Sequence, residues 1–407
     1  MDKAAITFQD VEGGVASPIG FYAAGGSADV RKKSDKRLDT GVVYSLIPCA
    51  AAGVFTINAV KAAPVLQCQS LLESEGRIHG IVANSGNANA CTGAQGKEDA
   101  AAMSLAASQA CGVTDSSFLV CSTGRIGELL PMESLLETIK PLGEAAVAGA
   151  KDNESFGKSI LTSDTKNKVC TAIFEIDGKT VTVGGCAKGA GMIEPNMATM
   201  LAFITTDIDA ESEQLKTVLQ KAVKTTFNAI TVDGDMSTND TVLLLANGES
   251  DVLLNAESEA LFQEAVNQVC DSLADKIVAD GERITKVVEI LISGAANEGD
   301  AENIARAIGN SLLVKTSWYG NDPNWGRLMD ALGYAKAKID QDTIDIFYDD
   351  VPALEMSTPV PENKPKWKEI VSKPRFSIRI NMHQGDATYR LRASDLTEGY
   401  VDFNKSE

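Results

Sequence analysis

From Lys168 to Val183, two β-rich runs flank the dipeptide Asp177-Gly178, a strong local signal for a hairpin. The pattern recurs along the chain, with strand and helix signals alternating. Thr199 to Thr205 reads as a strand. A helix from about Ala210 to Phe227 follows, with Leu215, Val218, Leu219, Ala222 and Val223 at the helical period and Asp209 as its expected cap. Thr241 to Ala246 reads as a buried strand. Asn255 to Ala279 reads as an amphipathic helix with Leu261, Phe262, Val266, Val269, Leu273 and Ile277 on one face. Lys286 to Ile292 is a strand and Glu298 to Ile308 a helix. Phe376, Ile378 and Ile380 alternate in a strand, and Gly385-Asp386 turns into another. In the first half, Lys97 to Ala110 and Met132 to Ala150 read as helices rich in Ala and Leu. The pattern predicts an α/β or α+β fold with substantial sheet. Four prolines between Val351 and Lys368 predict a loop or linker there.

Other properties narrow what such a chain does. Its 407 residues allow a sizeable core and two or three structural units, or one large one. The net charge of -19 argues against nucleic acid and anionic membranes as partners. Eight scattered cysteines include no Cys-x-x-Cys pair, so buried free thiols are expected rather than a zinc site or a disulfide framework. No run reaches the ~20 apolar residues of a membrane span. With no secretory pattern at Met-Asp-Lys-Ala-Ala, the expected compartment is the cytoplasm.

Histidine is scarce: the chain has only His79 and His383. A His-rich metal site is excluded by count, and neither context suggests catalysis; His383 falls in a strand-like alternating run. A transfer or hydrolytic enzyme built on this chain needs a base from elsewhere. The segment from Gly184 to Thr206 offers one. A glycine-rich loop holding Lys188 leads through Glu194-Pro195 to Ala198-Thr199 at the mouth of an apolar strand. The loop matches neither phosphate-binding glycine spacing. Taken alone, Thr199 is an ordinary strand threonine. If the Ala198–Thr199 peptide is cut, however, Thr199 gains an α-amine with an ordinary pKa of roughly 7.7–8.0, able to take the proton of its own hydroxyl. The same hydroxyl can attack the Ala198 carbonyl to begin the cut. A second candidate is Cys121-Ser122-Thr123-Gly124-Arg125-Ile126-Gly127, where a glycine N–H and a threonine hydroxyl can donate to an oxyanion; a tight strand-to-helix turn is the competing reading. Small polar turns also occur at 84–89, 233–240 and 321–327. The acidic one at 233–240 lacks the terminal Glu of a calcium-binding EF-hand loop.

These segments resemble the ornithine acetyltransferase family, also called glutamate N-acetyltransferase. The likeness covers nearly the whole chain, from Gly20-Phe21-Tyr22-Ala23-Ala24-Gly25 through 51–56, 61–65, 85–93, Ser122-Thr123-Gly124, the 188–199 loop, 232–240 and 322–327 to Asp395-Leu396-Thr397. It implies an α/β layered fold resembling N-terminal nucleophile enzymes, with mixed sheets packed against helices. It implies self-cleavage into an α chain of 1–198 and a β chain of 199–407, assembled as α2β2. Thr199 would take the acetyl group of N-acetylornithine and pass it to glutamate in a ping-pong cycle. Thr123 and Gly124 would form the oxyanion hole. Thr162, Lys188, Thr199, Glu282 and Asn404 would bind substrate, with Lys188 suited to a carboxylate and Glu282 to the ornithine ammonium. No metal or organic cofactor is implied.

The chain departs from the family in two places. Glu282 is followed by Arg-Ile-Thr rather than Gly-Ala-Thr. Only Lys405, Ser406 and Glu407 follow Asn404, so the family's last Ser or Thr contact is missing or is taken by Ser406. The residues leave open whether acetyl-CoA is also a donor. They also leave open an N-terminal-threonine amidase or aminopeptidase, and an uncleaved binding protein.

Overall fold

The structure is a computed structural model that describes residues 6–74, 77–114, 117–194 and 200–405. The chain divides into two compact units. The first comprises 1–190, 196–228 and 236–277; the second comprises 191–195, 229–235 and 278–407.

The hairpin signal is met at its own residues. Strands Lys168–Ile176 and Lys179–Lys188 pair antiparallel, and Asp177 and Gly178 both take positive φ, at 52° and 74°. That is the turn that an Asp-Gly pair favours, because glycine enters the left-handed region without a Cβ penalty. In the first unit nine described strands form one mixed sheet. Its central order is Lys168–Ile176, Lys179–Lys188, Leu201–Thr206, Thr241–Ala246, Thr40–Phe55, Ile78–Asn87 and Phe118–Arg125.

The 16-residue strand Thr40–Phe55 joins the two halves of this sheet. Its first part pairs with Ile78–Asn87, its last part with Thr241–Ala246, and the register breaks between Tyr44 and Cys49. Side-chain alternation then makes layers. Val43, Ile81, Ala83, Leu119 and Cys121 face one buried cluster with Phe203, Leu243 and Leu245. Their neighbours Val42, Val82, Phe118 and Val120 face a second cluster, with Met103, Ala107, Leu135 and Ile139 from helices Gly93–Ala110 and Met132–Val147. The central strands therefore have two buried faces, which explains their nearly continuous apolar sequences.

The second unit holds seven described strands, ordered Thr358–Pro359, Val351–Glu355, Asp345–Tyr348, Arg375–Asn381, Val287–Ala295, Ala387–Ser394 and Ile230–Thr231. Helix Glu298–Gly309 supplies Ala301, Ile304, Ala305 and Ile308 to its core. Mixed sheets packed with helices are thus present in both units.

Three local expectations are corrected. The proline-rich stretch after Val351 is not a linker. It contains strand Val351–Glu355 and helix Lys364–Val371, with Pro365 in the helix's first turn, where its missing N–H is harmless. The helix expected from Ala210 runs Ser212–Thr225, and its cap is Glu211, in a reciprocal capping box with Gln214, rather than Asp209. His383 sits in a turn at φ 52°, not in a strand, and its Nε2 lies 2.6 Å from Asp345 Oδ2. The thiols behave as expected: seven of the eight are buried and Cys91 is exposed.

Candidate active site

Three of the expected site residues meet in the first unit. Lys188 ends its strand and is 2% exposed. Its Nζ donates to Thr123 Oγ1 at 3.3 Å and lies 3.9 Å from Asp164 Oδ2. Asp164 also accepts from Lys168 Nζ at 2.7 Å, Gly189 N–H at 2.7 Å and Thr162 N–H at 3.0 Å. Burial alone would raise the Asp164 carboxyl, but the charges of Lys188 and Lys168 and these hydrogen bonds hold it well below the usual carboxylate range. Thr162, Lys188 and Thr123 are therefore tied together through one ionised carboxylate. Asp164 does not stand out in the sequence because its motif, Leu-Thr-Ser-Asp-Thr, reads as an ordinary polar turn. The available signal was Lys168 four residues later, on a strand otherwise rich in Val, Ala, Ile and Phe.

Thr123 and Gly124 stand near the end of strand Phe118–Arg125. Gly124 has φ of 132°, and a Cβ there would strike the backbone of Gly86 and Asn87. Only glycine lets these two chains approach so closely. The 84–89 segment, expected as a turn, is instead strand as far as Asn87, paired with Phe118–Arg125, and it shapes this corner. Ser122 Oγ donates to Asn84 Oδ1 at 2.6 Å, and Asn84 Nδ2 donates to the Asn87 carbonyl at 3.0 Å.

Two residues of the acidic turn also do not stand out individually in the sequence. Asn239 and Asp240 are 5% and 0% exposed. Asn239 Nδ2 donates to the Ser122 carbonyl at 2.8 Å and to the Ala88 carbonyl at 2.6 Å. Asp240 Oδ1 accepts the Met200 N–H at 2.9 Å. Burial pushes the Asp240 carboxyl well above its ordinary value, against the opposing pull of the Met200 N–H and the Lys188 charge. Ala198 and Thr199 lie outside the described residues.

The second unit brings Glu282 and Asn404 together. Asn404 Nδ2 donates to Glu282 Oε2 at 3.3 Å. The short helix Glu398–Asn404 is fixed at its start by Thr397, which caps Tyr400 N–H and donates to the Arg283 carbonyl at 2.7 Å. The Arg283 guanidinium lies 5.2 Å from the Phe403 ring centroid. A Cβ on Gly191 would collide with the Glu282 carboxylate, so the glycine loop passes directly over that group. Ser406 lies outside the described residues.

The acidic turn has a use other than metal binding. Asp233 accepts the N–H groups of Met192 and Ile193 at 2.7 and 2.8 Å. Among the described residues, no cluster of three or more His, Cys, Asp or Glu could hold a metal ion. No described helix is long and apolar enough to cross a membrane.

The fold is a layered α/β architecture of mixed sheets packed with helices, and it brings Thr123, Gly124 and Lys188 close to one another. Comparison with known proteins makes the assignment specific. The ArgJ family model matches residues 22–406. The arginine biosynthesis bifunctional protein ArgJ of Staphylococcus epidermidis is 41% identical over 397 residues, spanning 97% of this chain and 98% of that protein. Its Thermotoga neapolitana namesake is 43% identical over 395 residues, spanning 95% and 98%. A solved structure, ornithine acetyltransferase from Mycobacterium tuberculosis complexed with ornithine, is 38% identical, with a TM-score of 0.43 over 47% of this chain and 98% of that one. The chain belongs to the ArgJ family and is an acetyltransferase of arginine biosynthesis.

Proposed function

We propose that this chain cuts itself between Ala198 and Thr199 and then transfers the acetyl group of N-acetylornithine to glutamate through an acetyl ester on Thr199. In the first half-reaction the Thr199 hydroxyl attacks the acetyl carbonyl and its proton passes to the Thr199 α-amine. The tetrahedral oxyanion takes hydrogen bonds from the Thr123 hydroxyl and the Gly124 N–H. Collapse breaks the C–N bond, and the proton moves from the α-ammonium to the departing ornithine amine. In the second half-reaction the glutamate amine attacks the ester, loses its proton to the same base and returns the Thr199 hydroxyl.

The observation that carries this reading is the Lys188 ammonium at 3.3 Å from Thr123 Oγ1. A hydroxyl that accepts from a buried cation has its own proton available for a developing oxyanion, and the cation strengthens that donation. Because Lys188 is buried and engaged by Asp164, its role here is to set the field at Thr123 as well as to attract a substrate carboxylate. Glu282, joined to Asn404, receives the ornithine ammonium. The α and β chains remain associated as α2β2 in the cytoplasm, and no cofactor is required. That the relatives are bifunctional supports a second activity, for which acetyl-CoA is the donor proposed here.

Intact mass spectrometry and a transfer assay test this together. The wild type should give two species, 1–198 and 199–407, and transfer acetyl from N-acetylornithine to glutamate. Thr199→Ala should stay a single chain with no transfer; full activity in that variant would remove Thr199 from the mechanism. Hydrolysis without transfer would point to an amidase, and an inert, uncut wild type to a binding protein.

A further inference from the structure

Two adjacent residues, Asn239 and Asp240, hold two separate peptide groups. The Asn239 amide donates both its hydrogens to carbonyls, those of Ala88 and Ser122. Its Oδ1 accepts from Thr238 Oγ1 at 2.6 Å, so the amide has one orientation. The Ser122 carbonyl belongs to the same planar peptide as the Thr123 N–H. Asp240 Oδ1 holds the Met200 N–H, which shares its planar peptide with the Thr199 carbonyl carbon. Peptide planarity means that holding the Ser122 carbonyl orients the Thr123 N–H.

The surrounding sheet keeps these two residues in place. Thr241, Leu201 and Lys188 are register partners across three neighbouring strands. The Met200 carbonyl accepts from Thr241 N–H at 3.2 Å, and the Asp240 carbonyl accepts from Thr56 N–H at 3.0 Å. Met200 is thus held at its N–H by Asp240 and at its carbonyl by the next residue. Asp240 Oδ2 is buried with no hydrogen-bond partner among the described residues. A solvated loop residue would not leave a carboxylate oxygen so placed, because an unsatisfied buried acceptor is costly.

We propose that Asn239 and Asp240 form a two-residue clamp that sets the spacing between the nucleophile and the oxyanion donors, Asn239 through the peptide leading into Thr123 and Asp240 through the peptide leading out of Thr199. The inference rests on the assignment of Thr199, Thr123 and Gly124 made above. Both clamp members are positioning residues, because each acts through a backbone group of its neighbour. Displacement of a reacting group by about 1 Å can cost on the order of 100-fold in rate. The clamp therefore acts on kcat more than on substrate affinity.

The test uses the full chain with Asn239→Ala, Asp240→Ala and Asp240→Asn, each checked for folding by circular dichroism and cooperative melting. Cleavage is followed by intact mass spectrometry, and kcat and KM for N-acetylornithine are measured on the cleaved fraction. The alanine variants should cut themselves slowly, with kcat down by on the order of 100-fold and KM changed by less than about threefold. Asp240→Asn keeps an acceptor for the Met200 N–H and should recover both rates to within about fivefold of wild type. A folded Asp240→Ala that cuts and turns over like wild type would overturn the clamp, as would a loss confined to KM. If the alanine variants do not fold, a folded Asp240→Asn that fails to cut overturns it instead. A wild type that never cuts removes the nucleophile assignment and the clamp with it, so the two failures are distinguishable.

Discussion

Asp164 and Asp240 are both buried carboxyls near Lys188, yet they are perturbed in opposite directions. Asp164 gains two lysine partners and several N–H donors, so its ionised form is favoured despite burial. Its contribution to stability is present above the unfolded value of about 3.9 and is lost as pH falls through the depressed folded value. Asp164→Ala removes the carboxylate that two buried lysines share and should destabilise the fold by about 3–5 kcal/mol, read from urea unfolding near pH 7. Asp240 has the reverse sign: its folded value is raised, so ionisation costs stability as pH rises above the unfolded value. Asp240→Asn should therefore melt higher than wild type at pH 8, with the difference closing towards pH 4. An equal difference at both pH values would mean that Asp240 ionises as freely in the fold as in water.

Neither carboxyl could be singled out from sequence, because burial is not written in a single residue. Thr123, Gly124 and Lys188 were legible because small polar and glycine residues interrupt apolar strands at those points. The roles of Asn239 and Asp240 arise from pairings 117 and 40 residues away along the chain, and no local pattern carries those.

At the scale of elements, local chemistry was read best where one rule acted alone. The Asp177-Gly178 hairpin and strand Thr241–Ala246 sit at their expected residues. Where two rules compete, the structure departs from the local signal. Between Val351 and Lys368 the prolines argued for a loop, yet Pro352 sits in a strand and its carbonyl accepts from Trp367 Nε1 at 3.0 Å and Asn363 Nδ2 at 3.1 Å. Tertiary packing of Trp367 and Ile370 against the second unit's sheet overrides the proline signal. At the 212–225 helix, Asp is the commoner capping residue, but the backbone of Asp209 is bonded to Val252 and Leu254 two residues before the N-cap position, so Glu211 caps instead. Glu211→Ala should cost about 1 kcal/mol, seen as a lower urea midpoint, whereas Asp209→Ala should cost less if capping is the only loss.

The whole molecule constrains what self-cleavage can do. The expected cut at Ala198–Thr199 separates the chain ends between strand Lys179–Lys188 and strand Leu201–Thr206. These two strands pair antiparallel over six residue pairs, from Val183–Thr206 to Lys188–Leu201. On its other side Leu201–Thr206 pairs in parallel with Thr241–Ala246, and that strand pairs with Thr40–Phe55. The two expected products would therefore be interleaved in one sheet, with α-chain strands flanking β-chain strands on both sides. Phe203, Leu243 and Leu245 from one product share a buried cluster with Val43, Ile81 and Cys186 from the other. Separating the products would expose that core and a row of unpaired strand edges, so cutting one peptide should leave the fold intact. The cleaved enzyme should run as one species on native size exclusion and split into two only in denaturant. Its melting should remain a joint loss of both products rather than the release of one. Elution of free 1–198 or 199–407 under native conditions would contradict the interleaved sheet, because neither product alone completes it.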